Sequence, residues 1–130
     1  MHKRFLFTAS LFGVIAVSLG AFGAHGLKKI VSAEIVSTFQ TGVQYQMYHV
    51  FALFFTGILY EKFACMWLRW AGIFFICGII LFSGSLYLIT FLKAGERVVP
   101  DSVGLVTPVG GLFFILGWIF LLTGIVKNRN

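Results

Sequence analysis

Negative charge is scarce in this chain, and where it is missing matters more than how little there is. Of 130 residues only four are acidic: Glu34, Glu61, Glu96 and Asp101. None falls inside Phe5–Ala24, Thr41–Tyr60, Ala71–Leu92 or Val103–Val126, and those four runs contain no Lys or Arg either. At about 1.5 Å of helical rise per residue, roughly 20 residues cross a hydrocarbon core about 30 Å thick. The four runs are therefore predicted to be membrane-spanning helices. Without a carboxylate in any of them, no acidic group relays protons through lipid or serves as a buried general base. The same absence argues against a small proton-coupled exporter, which the size would otherwise suit. Serine chemistry at Ser83 or Ser85 would need a histidine from another helix as its base. The expectation is a protein that is not an enzyme.

Cysteine is also sparse. Cys65 and Cys77 lie about 18 Å apart if they share one helix, beyond the reach of a disulfide. No Cys-x-x-Cys pattern is present, and no cofactor or metal site is expected from the cysteines. Charged residues make up 11% of the chain, against about 25% in a typical soluble domain, while hydrophobic residues reach 59%. No room remains for a soluble domain beside four spans, so residues 1–130 are expected to form one transmembrane domain.

The net charge of +6 raises the question of nucleic acid, and placement answers it. Lys3, Arg4, Lys28, Lys29, Lys62, Arg69, Lys93, Arg97, Lys127 and Arg129 all flank apolar segments, as residues anchored at lipid headgroups do. No nucleic-acid partner is expected; membrane lipids are. With four spans both termini share a side, which holds Lys3, Arg4, Lys62, Arg69, Lys127 and Arg129. The other side holds Lys28, Lys29, Lys93 and Arg97. The excess predicts cytoplasmic termini and a plasma (inner) membrane location. Met1–Gly26 also has the basic start and small residues of a secretory signal peptide, but its apolar length suits a span, and it is read as the first helix.

In lipid, helices approach closely where small residues line up. Ala9, Gly13, Ala16, Gly20 and Ala24 make such a stripe on the first helix, and Gly110, Gly117 and Gly124 make one on the fourth. Gly78, Gly84 and Ser85 offer small surfaces on the third. These are read as seams of a compact bundle, with a homo-oligomer interface as the alternative use. Between the first two spans, Leu27, Ile30, Val31, Ile35, Val36 and Phe39 recur at helical spacing among polar residues. Ser32 is placed to cap a helix from Ala33, giving an amphipathic interfacial extension before helix 2. Thr107-Pro108 reads as a cap with proline in the first turn, which puts the start of the fourth helix at Pro108. The fold class is thus all-α: a transmembrane four-helix bundle with that extension.

The second span is unusual, because Thr41-Gly42-Val43-Gln44-Tyr45-Gln46-Met47-Tyr48-His49 sets amides, phenols and an imidazole in its first half. Thr41, Tyr45, His49 and Thr56 share one face with Gly42 and Gln46, and burial of polar groups in hydrocarbon requires partners. This stripe is expected to face protein, and Gln44 and Tyr48 to lie elsewhere, near water. His25, Tyr45, Gln46, His49, Ser83, Ser85 and Tyr87 fall in one half of the membrane, and Trp118 matches His49 in depth. These eight residues define a candidate polar pocket opening to the outer face. It serves either as a hydrogen-bonded network joining helices or as a site for a small molecule or lipid headgroup. Haem or metal ligation by His25 and His49 is a lesser alternative.

Gly20-Ala21-Phe22-Gly23-Ala24-His25-Gly26-Leu27, the Thr41–His49 run, Gly84-Ser85-Leu86-Tyr87 and Thr107-Pro108-Val109-Gly110-Gly111 with Gly117-Trp118 together resemble the YgdD/YwdK-like family. These are small bacterial inner-membrane proteins, with mitochondrial relatives, classed as a domain of unknown function. The resemblance spans essentially the whole chain, less closely over Lys29–Gln40. It implies four transmembrane helices and a plasma-membrane address, and it carries no established activity, substrate or cofactor. The expected role is a structural or accessory component of the membrane. Such a component would act alone, as a homo-oligomer or within a larger complex reached through its many exposed phenylalanines.

Overall fold

A computed structural model describes residues 1–128. Among them the regular structure is entirely helical: α1 (Lys3–Ala24), a 3-10 turn at Leu27–Lys29, α2 (Ala33–Lys62), α3 (Met66–Gly78), a π-helical turn at Ile79–Ser83, α4 (Gly84–Ala94) and α5 (Asp101–Lys127). The π turn runs directly from α3 into α4, so four helical rods result. Among the described residues three stretches are long and apolar enough to cross a membrane: Lys3–Lys29, Met66–Ala94 and Asp101–Lys127.

α1 packs along α2 and α5 along α3, and the two pairs meet where α2 lies against α3, the π turn and α4. Glycines mark the registers. Gly13 and Gly20 of α1 face Val50 and Val43 of α2, and Gly23 faces Phe39, which makes the pair antiparallel. On the other side Gly110, Gly117 and Gly124 of α5 meet Phe82, Phe75 and Leu68 in turn, again antiparallel. Ala9 and Ala16 are fully buried in the first seam, while Ala24 is only half-buried at its end. Gly78 also packs closely, against the Phe114 ring, whereas Gly84 has nothing within 4 Å of where a Cβ would stand. Gly84 is thus not a seam residue, because the π turn rotates the helix just before it.

Several predicted boundaries move. α5 starts at Asp101, directly after an extended Pro100, and Pro108 lies inside the helix. The stop signal is therefore Pro100, and Thr107 is not a cap: its hydroxyl pairs with Ser85 Oγ at 2.6 Å. An interior proline forfeits one backbone bond and is tolerated in apolar surroundings where neighbouring groups adapt. α2 does start at Ala33, but the Ser32 side chain makes no capping bond; its carbonyl accepts from Val36 N at 3.0 Å. The run from Leu27 is broken by the short 3-10 turn and a bend before Ser32.

Met1 and Lys127 lie at the same end of the bundle. The Met1 ammonium is 3.6 Å from a Glu61 carboxylate oxygen, and Lys127 Nζ sits 4.6 Å from the centroid of the Trp67 ring. Glu61 and Trp67 flank the short α2–α3 connection.

Candidate functional site: the α2 polar face and the α2–α5 cleft

The polar stripe of α2 points inward only in part: Gln46 is 2% exposed, His49 5% and Thr56 fully buried, but Thr41 is half-buried and Tyr45 is 40% exposed. Gln44 and Tyr48 are exposed and bond to each other at 2.6 Å. Gln46 joins three rods: its Nε2 donates to the Phe12 carbonyl of α1 at 2.8 Å, and its Oε1 accepts from Tyr87 OH of α4 at 2.6 Å. Ser83 Oγ donates to the Gly42 carbonyl at 2.6 Å, tying the π turn to α2. Ser85 Oγ reaches Phe82 O at 2.8 Å as well as Thr107 of α5. Thr56 and Thr90 satisfy their hydroxyls on carbonyls one turn back in their own helices.

His49 belongs to a different group. Its Nδ1 lies 2.7 Å from the Tyr45 carbonyl, and Trp118 Nε1 of α5 lies 3.1 Å from its Nε2. The indole N–H is a donor only, so Nε2 is the acceptor and the proton sits on Nδ1, donated to Tyr45. The ring is stacked on Phe114, with centroids 3.5 Å apart and planes at 6°. Phe114 fits there because Gly78 leaves its space free: a Cβ on Gly78 would meet the Phe114 ring at 2.4 Å.

Beside this group α2 and α5 part to leave a cleft of about 630 Å³, lined by Tyr45, His49, Phe82, Pro108, Phe114 and Trp118 among others. The eight predicted site residues therefore do not share one polar pocket. Tyr45, His49 and Trp118 line the cleft; Gln46, Ser83, Ser85 and Tyr87 turn instead to partners on neighbouring rods. His25 joins neither set. It is exposed at the C-terminal cap of α1, about 18 Å along the helix from Gly13, which packs on Val50 next to His49. A haem or metal held jointly by His25 and His49 does not fit this geometry: the rings do not converge, and the free lone pair of His49 is taken by Trp118. Sequence reasoning missed Thr107 and Phe114 as parts of the site. Each interacts with a residue on another rod, and neither carries a local signal of that.

A set of helices joined by internal hydrogen bonds, with long apolar outer faces, defines a class: the small helical membrane protein. The chain belongs to the family described as "Protein of unknown function (DUF423)", whose model matches residues 19–111. It is 38% identical to UPF0382 membrane protein SAB0533 of Staphylococcus aureus, over 96% of this chain and 97% of the relative. It is 37% identical to UPF0382 membrane protein YwdK of Bacillus subtilis, over 96% and 98%. It is also 37% identical to UPF0382 inner membrane protein YgdD of Escherichia coli, over 100% and 95%. No solved structure matches the chain significantly.

Proposed function

We propose that this protein is a non-enzymatic, multi-pass component of the inner (plasma) membrane. In this reading it is a transmembrane four-helix bundle whose polar residues set helix register. One observation carries the proposal: among the described residues, no buried side-chain nitrogen or oxygen lacks a hydrogen-bond partner. Catalytic and transport sites keep polar groups available for substrate, and here the buried ones are spent on partners in their own or neighbouring helices. α2 completes the set of four spans. Gln46, His49 and Thr56 of its polar stripe are covered, and Phe51, Phe54, Phe55 and Ile58 beyond the exposed Gln44, Tyr45 and Tyr48 present an apolar surface to lipid. At 30 residues α2 is about 45 Å long, roughly 15 Å beyond the hydrocarbon thickness, which supports an interfacial extension at its N-terminal end. The Lys and Arg excess at the end shared by Met1 and Lys127 supports cytoplasmic termini. The printed name of the Escherichia coli relative supports the inner membrane.

A second reading, binding of an apolar small molecule or lipid chain, draws on the α2–α5 cleft. Two variants separate the readings. Under the structural role, Gln46→Leu and His49→Phe lower the resistance of the bundle to unfolding in mixed micelles. Under the binding role, native mass spectrometry of protein from gently solubilised membranes reveals an added mass that is lost in His49→Phe while the fold survives. A mass equal to the bare chain, or to a multiple of it, together with destabilised variants, is the outcome expected here.

A further inference from the structure

At the end of the bundle that holds both Met1 and Lys127, α1 and α3 separate around a second cleft, of about 270 Å³. Its apolar side is formed by Phe5 and Ile73, and its polar side by His2, Arg4, Thr8 and Arg69. The two guanidinium groups come from different rods, each from the first turn of its helix, and neither first turn contains an acidic residue. No carboxylate lines the cleft. Glu61, the acidic residue at this end, is 3.6 Å from the Met1 ammonium, and no ion pair to Arg4 or Arg69 exists among the described residues.

That arrangement is electrostatically unfavourable by itself. Two cations are held near each other, and both sit in helix first turns, where the backbone dipole favours negative charge. His2 feels the same field: burial, with the charges of Arg4, Arg69 and the terminal ammonium, holds its imidazole below the ordinary value. Its Nδ1 accepts from Phe5 N at 3.4 Å and its ring stacks on Phe5, so the neutral ring keeps its proton on Nε2 as a further donor. Phe5 itself is locked, because Gly72 of α3 admits its ring. The cleft thus offers forked guanidinium donors, a hydroxyl and an imidazole N–H over an apolar wall. Guanidinium pairs match the oxygens of a phosphate in a two-pronged way that an ammonium does not. The apolar wall continues toward the side of the bundle through Ile73 and Ile76, where an acyl chain would lie.

We propose that the Arg4–Arg69 cleft is a phosphate-binding site between α1 and α3, suited to the headgroup of an anionic phospholipid or to a soluble phosphate anion. It holds for either orientation of the bundle and is independent of the structural role given above to the α2 network.

The test uses the full-length protein in nanodiscs of phosphatidylcholine, with and without phosphatidylglycerol, read by native mass spectrometry and by melting temperature. The wild type is expected to retain phosphatidylglycerol over phosphatidylcholine, and Arg4→Gln/Arg69→Gln to lower that retention about tenfold. Lys62→Gln/Lys127→Gln removes as much charge from the same end without touching the cleft and is expected to leave retention unchanged. Arg4→Lys/Arg69→Lys keeps the charge and the fold but loses the fork, and a several-fold drop is expected. Inorganic phosphate added to pure phosphatidylcholine discs distinguishes the sources. A rise in melting temperature that requires Arg4 and Arg69 assigns the site to a soluble anion, and its absence beside lipid retention assigns it to the headgroup. The proposal is overturned if the wild type responds to neither probe. It is equally overturned if the Lys62/Lys127 variant loses as much retention as the glutamine pair, or if the lysine pair retains all of it.

Discussion

Gln46 illustrates what a single polar residue does in this molecule. One amide occupies a carbonyl of α1 and a phenol of α4 at once, so its removal loosens two contacts. Hydrogen bonds between membrane helices contribute roughly 0.6 to 2 kcal/mol each, because alternative partners exist in the unfolded state. Gln46→Leu is therefore expected to cost about 1–3 kcal/mol in mixed-micelle unfolding, and Tyr87→Phe about half as much. An unchanged unfolding midpoint in Gln46→Leu would show that the network is not holding the rods. Glu96 supplies a change in the opposite direction. Its φ is 55°, the left-handed region that favours glycine, and Glu96 and Arg97 N–H groups return to Lys93 and Leu92 carbonyls at 3.1 and 2.9 Å. This is a helix-ending pattern in which glycine is usual at the position Glu96 holds. Glu96→Gly is expected to stabilise the protein by about 0.5–1 kcal/mol, a shift readable by the same assay.

Among the elements, the π turn has the widest consequences. Gly84 N–H reaches back to the Ile79 carbonyl, the wide spacing that defines the turn. The displaced backbone of Phe82 then lies against Gly110 of α5, where a Cβ would come within 2.3 Å of Phe82 N and 2.7 Å of its Cα. Backbone cannot swing aside as a flexible side chain can. Gly110→Ala is expected to destabilise by about 1–3 kcal/mol through overpacking. Gly84→Ala, two residues beyond Phe82 and free of neighbours, is expected to be neutral or stabilising by up to about 1 kcal/mol, as for glycine in an open helix. Equal effects of the two substitutions on thermal unfolding would refute this account of the turn. Both glycines lie in the family-like motifs, and nothing in those motifs distinguishes them.

At the scale of the whole molecule, the prediction concerns which way the bundle faces. Glu61 and Glu96 are both exposed. Glu61 lies at the end shared by Met1 and Lys127, and Glu96 lies beyond α4 at the opposite end. With Cys65 and Cys77 replaced by alanine, an impermeant maleimide should label Glu96→Cys in intact cells and Glu61→Cys only after permeabilisation. The reverse pattern would place both termini outside the cytoplasm. The first pattern is the one that the Lys and Arg excess in the sequence, six against four, predicts.

The sequence alone determined the membrane class, the run of helices and the inward face of α2, since length, apolarity and helical period are local properties. Each predicted span lies within a continuous helical rod, the third running through α3, the π turn and α4. Gln46, His49 and Thr56 are buried as their shared face required, although Tyr45 on that face is exposed. Tertiary structure alone decided which partner each polar group meets. Trp118 and His49 are 69 residues apart, and Gln46 is 34 from Phe12. Such pairs depend on how far each rod is shifted and rotated against its neighbour. The π turn sets that rotation for α4, directing Ser85 to Thr107 and Tyr87 to Gln46 rather than into the cleft that Tyr45, His49 and Trp118 line. His25 fell outside for a related reason: it shares a membrane half with His49 but not a depth. Arg4 and Arg69, read separately as anchors at helix ends, become one site only because Phe5 seats in the space that Gly72 leaves and brings α1 onto α3.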